Sequence, residues 1–242
     1  MANYKLSDLV EYRARSHINI YDSPKCDRLA TQAALGRHLR VVEQSVRQSD
    51  VNLDTNAVMV RLCEDDYPGW LDIRDVELLD VAETLYHPLV LSEAEVREKL
   101  PLAITFAREA MNQSNYYLWG GTVGPNYDCS GLMQAAFVAA DIWLPRDAYQ
   151  QEGFTKPINL SALEPGNLVF FGTPEKATHV GLYLGDNRYI HSSGQAQGRN
   201  GIGIDVLSED GDRVSQAYYQ QLRGYGKVVA SYQPSYLLTV DG

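Results

Sequence analysis

The chain has 242 residues, which is long for one compact domain and comfortable for two. Its 45% hydrophobic and 21% charged residues exclude a chain that is disordered overall. The formal net charge is -10 and no cluster of Lys or Arg is present. Nucleic acid and anionic membranes are therefore poor partners, and a ligand that carries a cation is favoured.

The cysteines and the amino terminus indicate a cellular compartment. The three cysteines cannot all pair, and the sequence contains no CxxC or HExxH motif. The first residues lack the basic start and apolar run of a secretory signal, and no stretch approaches the ~18 consecutive apolar residues of a membrane helix. We therefore expect a cytoplasmic protein that does not bind membranes.

The front of the chain, up to about Asp80, is rich in short strand-like runs separated by turn residues. These runs are residues 17–21, 39–43, 57–62, 70–73 and 76–79. Several short strands at close spacing, with no good helix among them, predict a small barrel or sandwich.

A linker at 81–91 is predicted to lead into a mixed second half. Ser92 followed by Glu95 is typical of a capping box that opens a short helix, and the apolar spacing after Pro101 predicts a second, amphipathic helix. A glycine-rich loop precedes a buried helix that begins near Cys129. The strands that follow are predicted at 168–171, 179–184 and 188–192, the last two forming a hairpin.

The chemistry gathers around one cysteine and two histidines. Cys129 lies at the start of the buried helix, where the positive end of the helix dipole favours a thiolate. His179 and His191 fall on neighbouring strands of the hairpin. A three-residue loop, 185–187, pairs His179 with Ser193 and sets both histidines on one face, so that one takes the thiol proton while the other orients it. A two-residue loop would put them on opposite faces.

Each of these residues also has an alternative role. A lone cysteine in an apolar helix is more often a small core residue, and histidines in a hairpin are more often structural. Cys129, His179 and His191 also have the ligand types of a zinc site, although no fourth ligand stands at metal spacing. We expect no metal and no other cofactor.

An ordered set of motifs resembles the NlpC-type cysteine peptidases. The motifs are Tyr117-Leu118-Trp119-Gly120-Gly121, Asp128-Cys129-Ser130-Gly131, Pro165-Gly166-Asn167-Leu168-Val169-Phe170-Phe171, His179-Val180-Gly181-Leu182-Tyr183 and His191. The resemblance covers most of residues 92–234. It implies a papain-like α+β fold and the cleavage of bacterial cell-wall peptides.

The resemblance implies a role for each matching residue. Cys129 is the nucleophile, His179 the general base and His191 the orienting third member. Tyr117 matches a tyrosine placed near the oxyanion, where its hydroxyl joins the backbone N–H of Cys129.

Residues 1–85 resemble the bacterial SH3-like barrels that precede this catalytic domain in a cytoplasmic subgroup, most closely at 64–70. Members of that subgroup are γ-D-glutamyl-L-diamino-acid endopeptidases, which cut murein peptides that begin with a free L-alanine. The resemblance implies two domains, an SH3-like barrel at 1–85 and a peptidase domain at 92–234. It also implies a role in cell-wall peptide recycling.

A free alanine amine is a cation, and an acidic pocket suits it. Tyr67 and Asp128 match residues that hold the alanine end, and Ser130 and Trp119 match others that line the same pocket. We expect the Tyr67 loop, its acidic neighbours and Asp128 to select the amine, because a peptide whose alanine nitrogen is an amide would leave Asp128 unpaired. The alternatives are a helix N-cap for Asp128 and an ordinary loop tyrosine for Tyr67.

Two other functions remain open for the whole chain. A related cysteine amidase or acyltransferase would use the same thiol and imidazole. A non-catalytic wall-binding protein would keep the barrel without needing the thiol. We expect the protein to be a monomer.

Overall fold

The computed structural model describes residues 6–42 and 56–236. The chain divides into two compact units, Met1–Pro88 together with Gln233–Gly242, and Leu89–Tyr232. The boundary at Pro88 falls inside the stretch predicted as a linker. Gln233 and Pro234, which the sequence placed with the peptidase domain, belong to the first unit. No helix in the described part of the chain has the length and apolarity needed to cross a membrane.

The first unit is built on a seven-stranded antiparallel sheet in the order β3-β2-β6-β5-β4-β1-β7. The strands are β1 (Glu11–Ala14), β2 (Ile18–Tyr21), β3 (Leu29–Ala33), β4 (His38–Val41), β5 (Ala57–Leu62), β6 (Pro68–Asp72) and β7 (Leu79–Val81). A 3-10 helix, Ile73–Leu78, occupies most of the stretch 76–79 that was predicted as a strand. Asp72 caps this helix by accepting a hydrogen bond from the Arg74 N–H. Glu43, the end of another predicted strand, lies outside the described residues.

Both ends of the chain contribute to the first unit. Its core comes from alternating apolar residues of the strands, including Ile18, Ile20 and Leu71. The C-terminal Tyr236 donates a hydrogen bond to the Cys63 carbonyl at 3.3 Å. The guanidinium of Arg40 lies 3.4 Å from the centre of the Tyr236 ring.

The second unit packs helices against a six-stranded antiparallel sheet in the order β12-β11-β10-β9-β13-β8. The strands are β8 (Lys156–Ile158), β9 (Leu168–Gly172), β10 (Ala177–Gly185), β11 (Arg188–Ser193), β12 (Gly201–Val206) and β13 (Leu222–Lys227). The helices are α1 (Glu93–Met111), α2 (Cys129–Val138), α3 (Ala148–Phe154) and α4 (Arg213–Tyr219). The predicted α+β class is confirmed.

One continuous helix, α1, replaces the two helices predicted around Pro101. The capping box is present, since the side chain of Ser92 accepts from the Glu95 N–H and Glu95 accepts from the Ser92 N–H. Proline costs an internal helix about 3 kcal/mol because it lacks an N–H. The apolar face nevertheless runs unbroken past Pro101 into the core, through Val96, Leu100 and Ala103, and this burial offsets the cost.

The β10–β11 hairpin has a two-residue loop, so the predicted loop 185–187 is wrong. Asp186 and Asn187 both have positive φ, and Gly185 pairs with Arg188, as in a type I′ turn. A bulge at Leu184 then shifts the register by one residue. The pairing beyond the bulge, Leu182 with Ile190, is therefore the register that the sequence predicted, and the two histidines share a face.

Candidate active site

Cys129 is the first residue of α2 and is buried, with 6% of its surface exposed. The helix is anchored by apolar side chains such as Leu132 and Phe137 in the core of the second unit. Gly131 lets the glycine-rich loop come close, because a Cβ there would lie 2.0 Å from the Gly121 carbonyl oxygen. The backbone N–H of Asp128 donates to that same carbonyl at 3.1 Å. The loop and the start of the helix are thereby fixed to each other.

The carboxylate of Asp128 is fully occupied within this unit. Its Oδ1 accepts from the Gly131 N–H at 2.7 Å as the N-cap of α2, and its Oδ2 accepts from the Gly120 N–H at 2.8 Å. Arg146, itself 1% exposed, donates to both oxygens at 3.1 and 2.6 Å. The Ser130 hydroxyl adds a fifth contact at 3.3 Å. A carboxylate has about four lone-pair sites, so the expectation that Asp128 is unpaired without a substrate amine is wrong.

His179 and His191 are in direct contact. Nε2 of His179 lies 2.6 Å from Nδ1 of His191, and Nε2 of His191 lies 2.5 Å from Oδ2 of Asp205. Asp205, on β12, also accepts hydrogen bonds from Arg199. Because the Asp205 carboxylate only accepts, Nε2 of His191 carries a hydrogen and its Nδ1 accepts from Nε2 of His179. The network therefore leaves Nδ1 of His179 unprotonated and able to take a proton.

Burial sets the protonation of both reactive groups. It raises the pKa of the Cys129 thiol to about 12, and the neighbouring Asp128 charge acts in the same direction. The N–H groups of Val180 and Ser130 donate to the sulfur and offset this in part. Burial also holds the pKa of His179 well below 6.5, with His191 adding to the effect. Desolvation therefore acts against the thiolate that the helix start was expected to favour.

Tyr117 is half-buried near the cysteine. Burial, followed by the Cys129 and Asp128 charges, raises the pKa of its hydroxyl, so the hydroxyl remains protonated and able to donate a hydrogen bond. The Ser130 hydroxyl donates a hydrogen bond to Asp128 and accepts one from Arg146 at 3.0 Å. Trp119 is 57% exposed.

Tyr67 lies in the other unit, on the loop between β5 and β6. The acidic neighbours expected to attract an amine are already paired. Arg37, buried beneath the loop, contacts Glu64 at 3.3 Å and Asp65 at 2.9 Å. Asp66 lies 3.4 Å from Arg61 and accepts from the Ser235 hydroxyl at 2.6 Å. These three carboxylates therefore have partners within their own unit.

Four residues of the site were missed by sequence reasoning: Arg146, Arg199, Asp205 and Tyr218. The sequence could have indicated a buried, paired Asp205. The residue stands in the alternating run Gly201–Val206, on the buried side of the strand, where an unpaired carboxylate would be costly. Arg146 follows Pro145 in a stretch without periodicity, and nothing there indicates burial. Among residues 6–42 and 56–236, no group of three or more His, Cys, Asp or Glu residues is arranged to hold a metal ion.

Two family models match the chain. Residues 114–223 match the NlpC/P60 family, and residues 20–76 match the bacterial dipeptidyl-peptidase Sh3 domain. The catalytic candidates Cys129, His179 and His191 all fall inside the first match.

Curated relatives match part of the chain. The Bacillus subtilis γ-D-glutamyl-L-lysine dipeptidyl-peptidase is 38% identical over 95 residues, which are 38% of this chain and 30% of that protein. The Bacillus subtilis bifunctional muramidase/DL-endopeptidase CwlT is 34% identical over 130 residues, covering 52% of this chain and 40% of that protein. A probable endopeptidase NlpC homolog of Haemophilus influenzae is 37% identical over 108 residues, covering 44% and 54%. The matches thus span between about a third and a half of these relatives.

Solved structures of the family are also similar. An NlpC/P60 family protein from Bacillus cereus aligns with a TM-score of 0.45 and 19% identity over 91% of this chain and 64% of that chain. The peptidoglycan hydrolase RipB of Mycobacterium tuberculosis aligns with a TM-score of 0.46 and 22% identity over 57% and 69%. On the family matches, the chain carries a bacterial SH3 domain followed by an NlpC/P60 domain.

Proposed function

We propose that this protein is a cysteine endopeptidase that hydrolyses the bond between γ-D-glutamate and a diamino acid in murein peptides with a free amino-terminal L-alanine. The observation that carries the proposal is the chain of hydrogen bonds from Asp205 through His191 to His179, in the unit that also holds the buried Cys129. The NlpC/P60 match and the γ-D-glutamyl dipeptidyl-peptidase among the relatives support the substrate class.

In the proposed reaction His179 acts first as a base and then as an acid. Its Nδ1 accepts the thiol proton while the sulfur of Cys129 attacks the γ-carbonyl carbon of D-glutamate. The oxyanion accepts hydrogen bonds from the Cys129 backbone N–H and the Tyr117 hydroxyl. His179 then protonates the nitrogen of the diamino acid, which leaves as an amine. Water, activated by His179, hydrolyses the remaining γ-glutamyl thioester and frees the thiol.

The alanine end is proposed to be held by Trp119 and Ser130, and Asp128 is given a different role from the one expected. Because Arg146 offsets the charge of Asp128, we assign Asp128 to fixing the start of α2 more than to attracting the amine. An ammonium over an indole face gains ~0.5–2 kcal/mol, depending on how far it is desolvated. The exposed ring of Trp119 is therefore the group we expect to distinguish a charged amine from an amide.

Mass spectrometry of the products from L-Ala-γ-D-Glu-diaminopimelate and its N-acetylated form tests this proposal. We expect the wild type to release diaminopimelate from the free-amine peptide and to cleave the acetylated peptide far more slowly. Cys129→Ala should remove all turnover without a loss of folding, whereas Cys63→Ala, which changes the other buried cysteine, should keep it.

The outcomes separate the two parts of the proposal. Full turnover in Cys129→Ala would exclude a cysteine peptidase, and binding of the peptide without turnover would indicate a wall-binding protein. Equal cleavage of both peptides would exclude selection of the free amine. Trp119→Leu should narrow the ratio of the cleavage rates of the two peptides by ~2- to 30-fold, the equivalent of the cation–π energy.

We propose that the reaction takes place in the cytoplasm, on wall fragments taken up for recycling, and that the enzyme is a monomer. The resemblance to a cytoplasmic subgroup with the same two domains supports the compartment. Cell fractionation with an antibody against the protein tests the location, and sedimentation tests the oligomeric state.

A further inference from the structure

Tyr218, near the end of α4, lies against both histidines of the site. Its ring stacks on His179, with 4.2 Å between the ring centres and 23° between the planes. It meets His191 edge-on, at 5.0 Å and 82°. Its hydroxyl is 2.8 Å from the Ser193 Oγ. Tyr218 is 5% exposed, so the stack is shielded from water.

The helix that carries Tyr218 is fixed to the strand that carries Asp205. Asp212 caps α4 by accepting from the Ser215 N–H at 2.9 Å. The Ser215 hydroxyl accepts from the Val206 N–H at 3.2 Å and donates to Asp205 at 3.4 Å. These contacts join α4 to β12, so Tyr218 and Asp205 are held in place together.

We propose that Tyr218 is a positioning residue for the general base, whose ring fixes the plane of the His179 imidazole and keeps water from its face. Hydrogen bonding through Nε2 alone leaves the imidazole free to rotate about that bond, and a stacked ring removes this freedom. Phe171, tilted at 5.8 Å from His179, packs against both rings and holds the stack in place. The inference rests on the proposed function, because it assigns Tyr218 to the reaction that His179 carries out.

The surroundings of the imidazole pair agree with this role. Tyr189 and Tyr218 are in ring contact with the pair, and the charges of Asp205, Arg199 and Asp212 act on His191. Tyr117 and Cys129 lie near Tyr218. The charges of Asp205 and Arg199 face His191 rather than His179. Burial is the first cause of the low pKa of His179, and the ring of Tyr218 provides part of that burial. Removing the ring should therefore raise the pKa of His179 toward 6.5.

Three variants test the proposal. Tyr218→Phe keeps the ring and loses only the hydroxyl. Tyr218→Leu removes the stack. Val214→Ala is the matched control, since it weakens the same helix in the same apolar cluster and leaves the ring in place. The measurements are kcat, KM, the melting temperature, and the pKa of His179 from NMR of histidine-labelled protein.

We expect Tyr218→Leu to lower kcat by ~10- to 100-fold with little change in KM, and to raise the pKa of His179. Tyr218→Phe should retain kcat within ~3-fold. Val214→Ala should leave kcat and the pKa unchanged even where it lowers the melting temperature. An unchanged pKa in a folded Tyr218→Leu, or a Tyr218→Phe as impaired as Tyr218→Leu, would overturn the proposal.

A measurement on the wild type covers the case in which Tyr218→Leu does not fold. A stacked tyrosine shifts the carbon-bound protons of His179 upfield, and Tyr218→Phe should keep that shift. His179 protons at ordinary positions in the wild type would overturn the proposal. Both NMR readouts need no substrate, so they still decide the role of Tyr218 if the enzyme cleaves no murein peptide and the proposed function fails.

Discussion

Replacing Asp205 by Asn should disable the general base from a distance. Oδ2 of Asp205 accepts from Nε2 of His191 and from Nε of Arg199, and Oδ1 accepts from the terminal nitrogen of Arg199 and from the Ser215 hydroxyl. An asparagine has one oxygen and one NH2 group, so in either rotamer a donor stands where one of the two accepting carboxylate oxygens was. If its oxygen turns to Arg199, the NH2 group faces Nε2 of His191 and forces that nitrogen to accept.

The consequence passes along the chain of hydrogen bonds. His191 then carries its hydrogen on Nδ1 and donates to Nε2 of His179, which moves the hydrogen of His179 to Nδ1. In that tautomer His179 has no lone pair for the thiol proton. The alternative rotamer keeps the right tautomer but sets two donors, the NH2 group and Arg199, against each other.

The magnitude follows from the lost hydrogen bond. A hydrogen bond to a charged group contributes about 1.5–3 kcal/mol net. At 1.36 kcal/mol for each factor of ten, we expect kcat to fall by ~10- to 100-fold with KM little changed. The assay is steady-state hydrolysis of L-Ala-γ-D-Glu-diaminopimelate at pH 7.

Two further variants make this test specific. Asp212→Asn is the matched control, because Asp212 is the N-cap of α4 and asparagine is an equally good N-cap. It should keep wild-type turnover. Adding Arg199→Met to Asp205→Asn removes the competing donor, so it should restore part of the lost kcat. Wild-type kcat in Asp205→Asn, or no difference between the single and double variants, would refute the tautomer argument.

Two other predictions concern the histidines. His179→Ala should lower kcat by ~10²–10⁴-fold and His191→Ala by less, because His191 only orients the base; equal effects in the same hydrolysis assay would contradict the assigned roles. Burial lowers the pKa of both histidines below 6.5 in the folded state. Below pH 6.5 the unfolded chain therefore binds more protons than the folded protein. As the pH decreases through this range, the free energy of unfolding should fall by up to about 1.4 kcal/mol per pH unit for each histidine. Urea unfolding between pH 7.5 and 5 measures this slope, and His179→Gln should reduce it; a flat profile in the wild type would show that both groups protonate freely when folded.

Local signals predicted the elements that carry the nucleophile and the base. The apolar run after Cys129 predicted α2, and the turn residues near Asn187 predicted the hairpin. The predicted length of the turn was wrong, but the predicted register was right, because the bulge at Leu184 compensates for the missing loop residue. A bulge of this kind has no sequence signature other than the side chains that it places on the correct face.

The spacing of apolar residues did not predict the elements that contain buried charges. In β1, Glu11 faces inward and accepts from the Tyr86 N–H at 2.7 Å, so the strand does not alternate apolar and polar residues. Asp128 and Arg146 are also buried charges that the pattern of apolar residues does not predict. They are 18 positions apart and become partners only when α2 packs in the unit. No local pattern in the sequence indicates that such charges are paired. The prediction therefore overestimated the uncompensated negative charge of the site.

The opposite pKa shifts of Cys129 and His179 have one physical cause, and it determines what the hydrogen-bond chain has to do. Burial disfavours a charge on either group, so it favours the neutral thiol and the neutral imidazole over a charged pair. In the proposed reaction the proton therefore moves as the sulfur attacks, when the growing negative charge passes to the substrate oxygen. A site of this kind depends on having the correct lone pair in place at that moment. Asp205, by fixing the tautomer through His191, provides that lone pair, and this is why a residue that does not touch the thiol is expected to affect kcat.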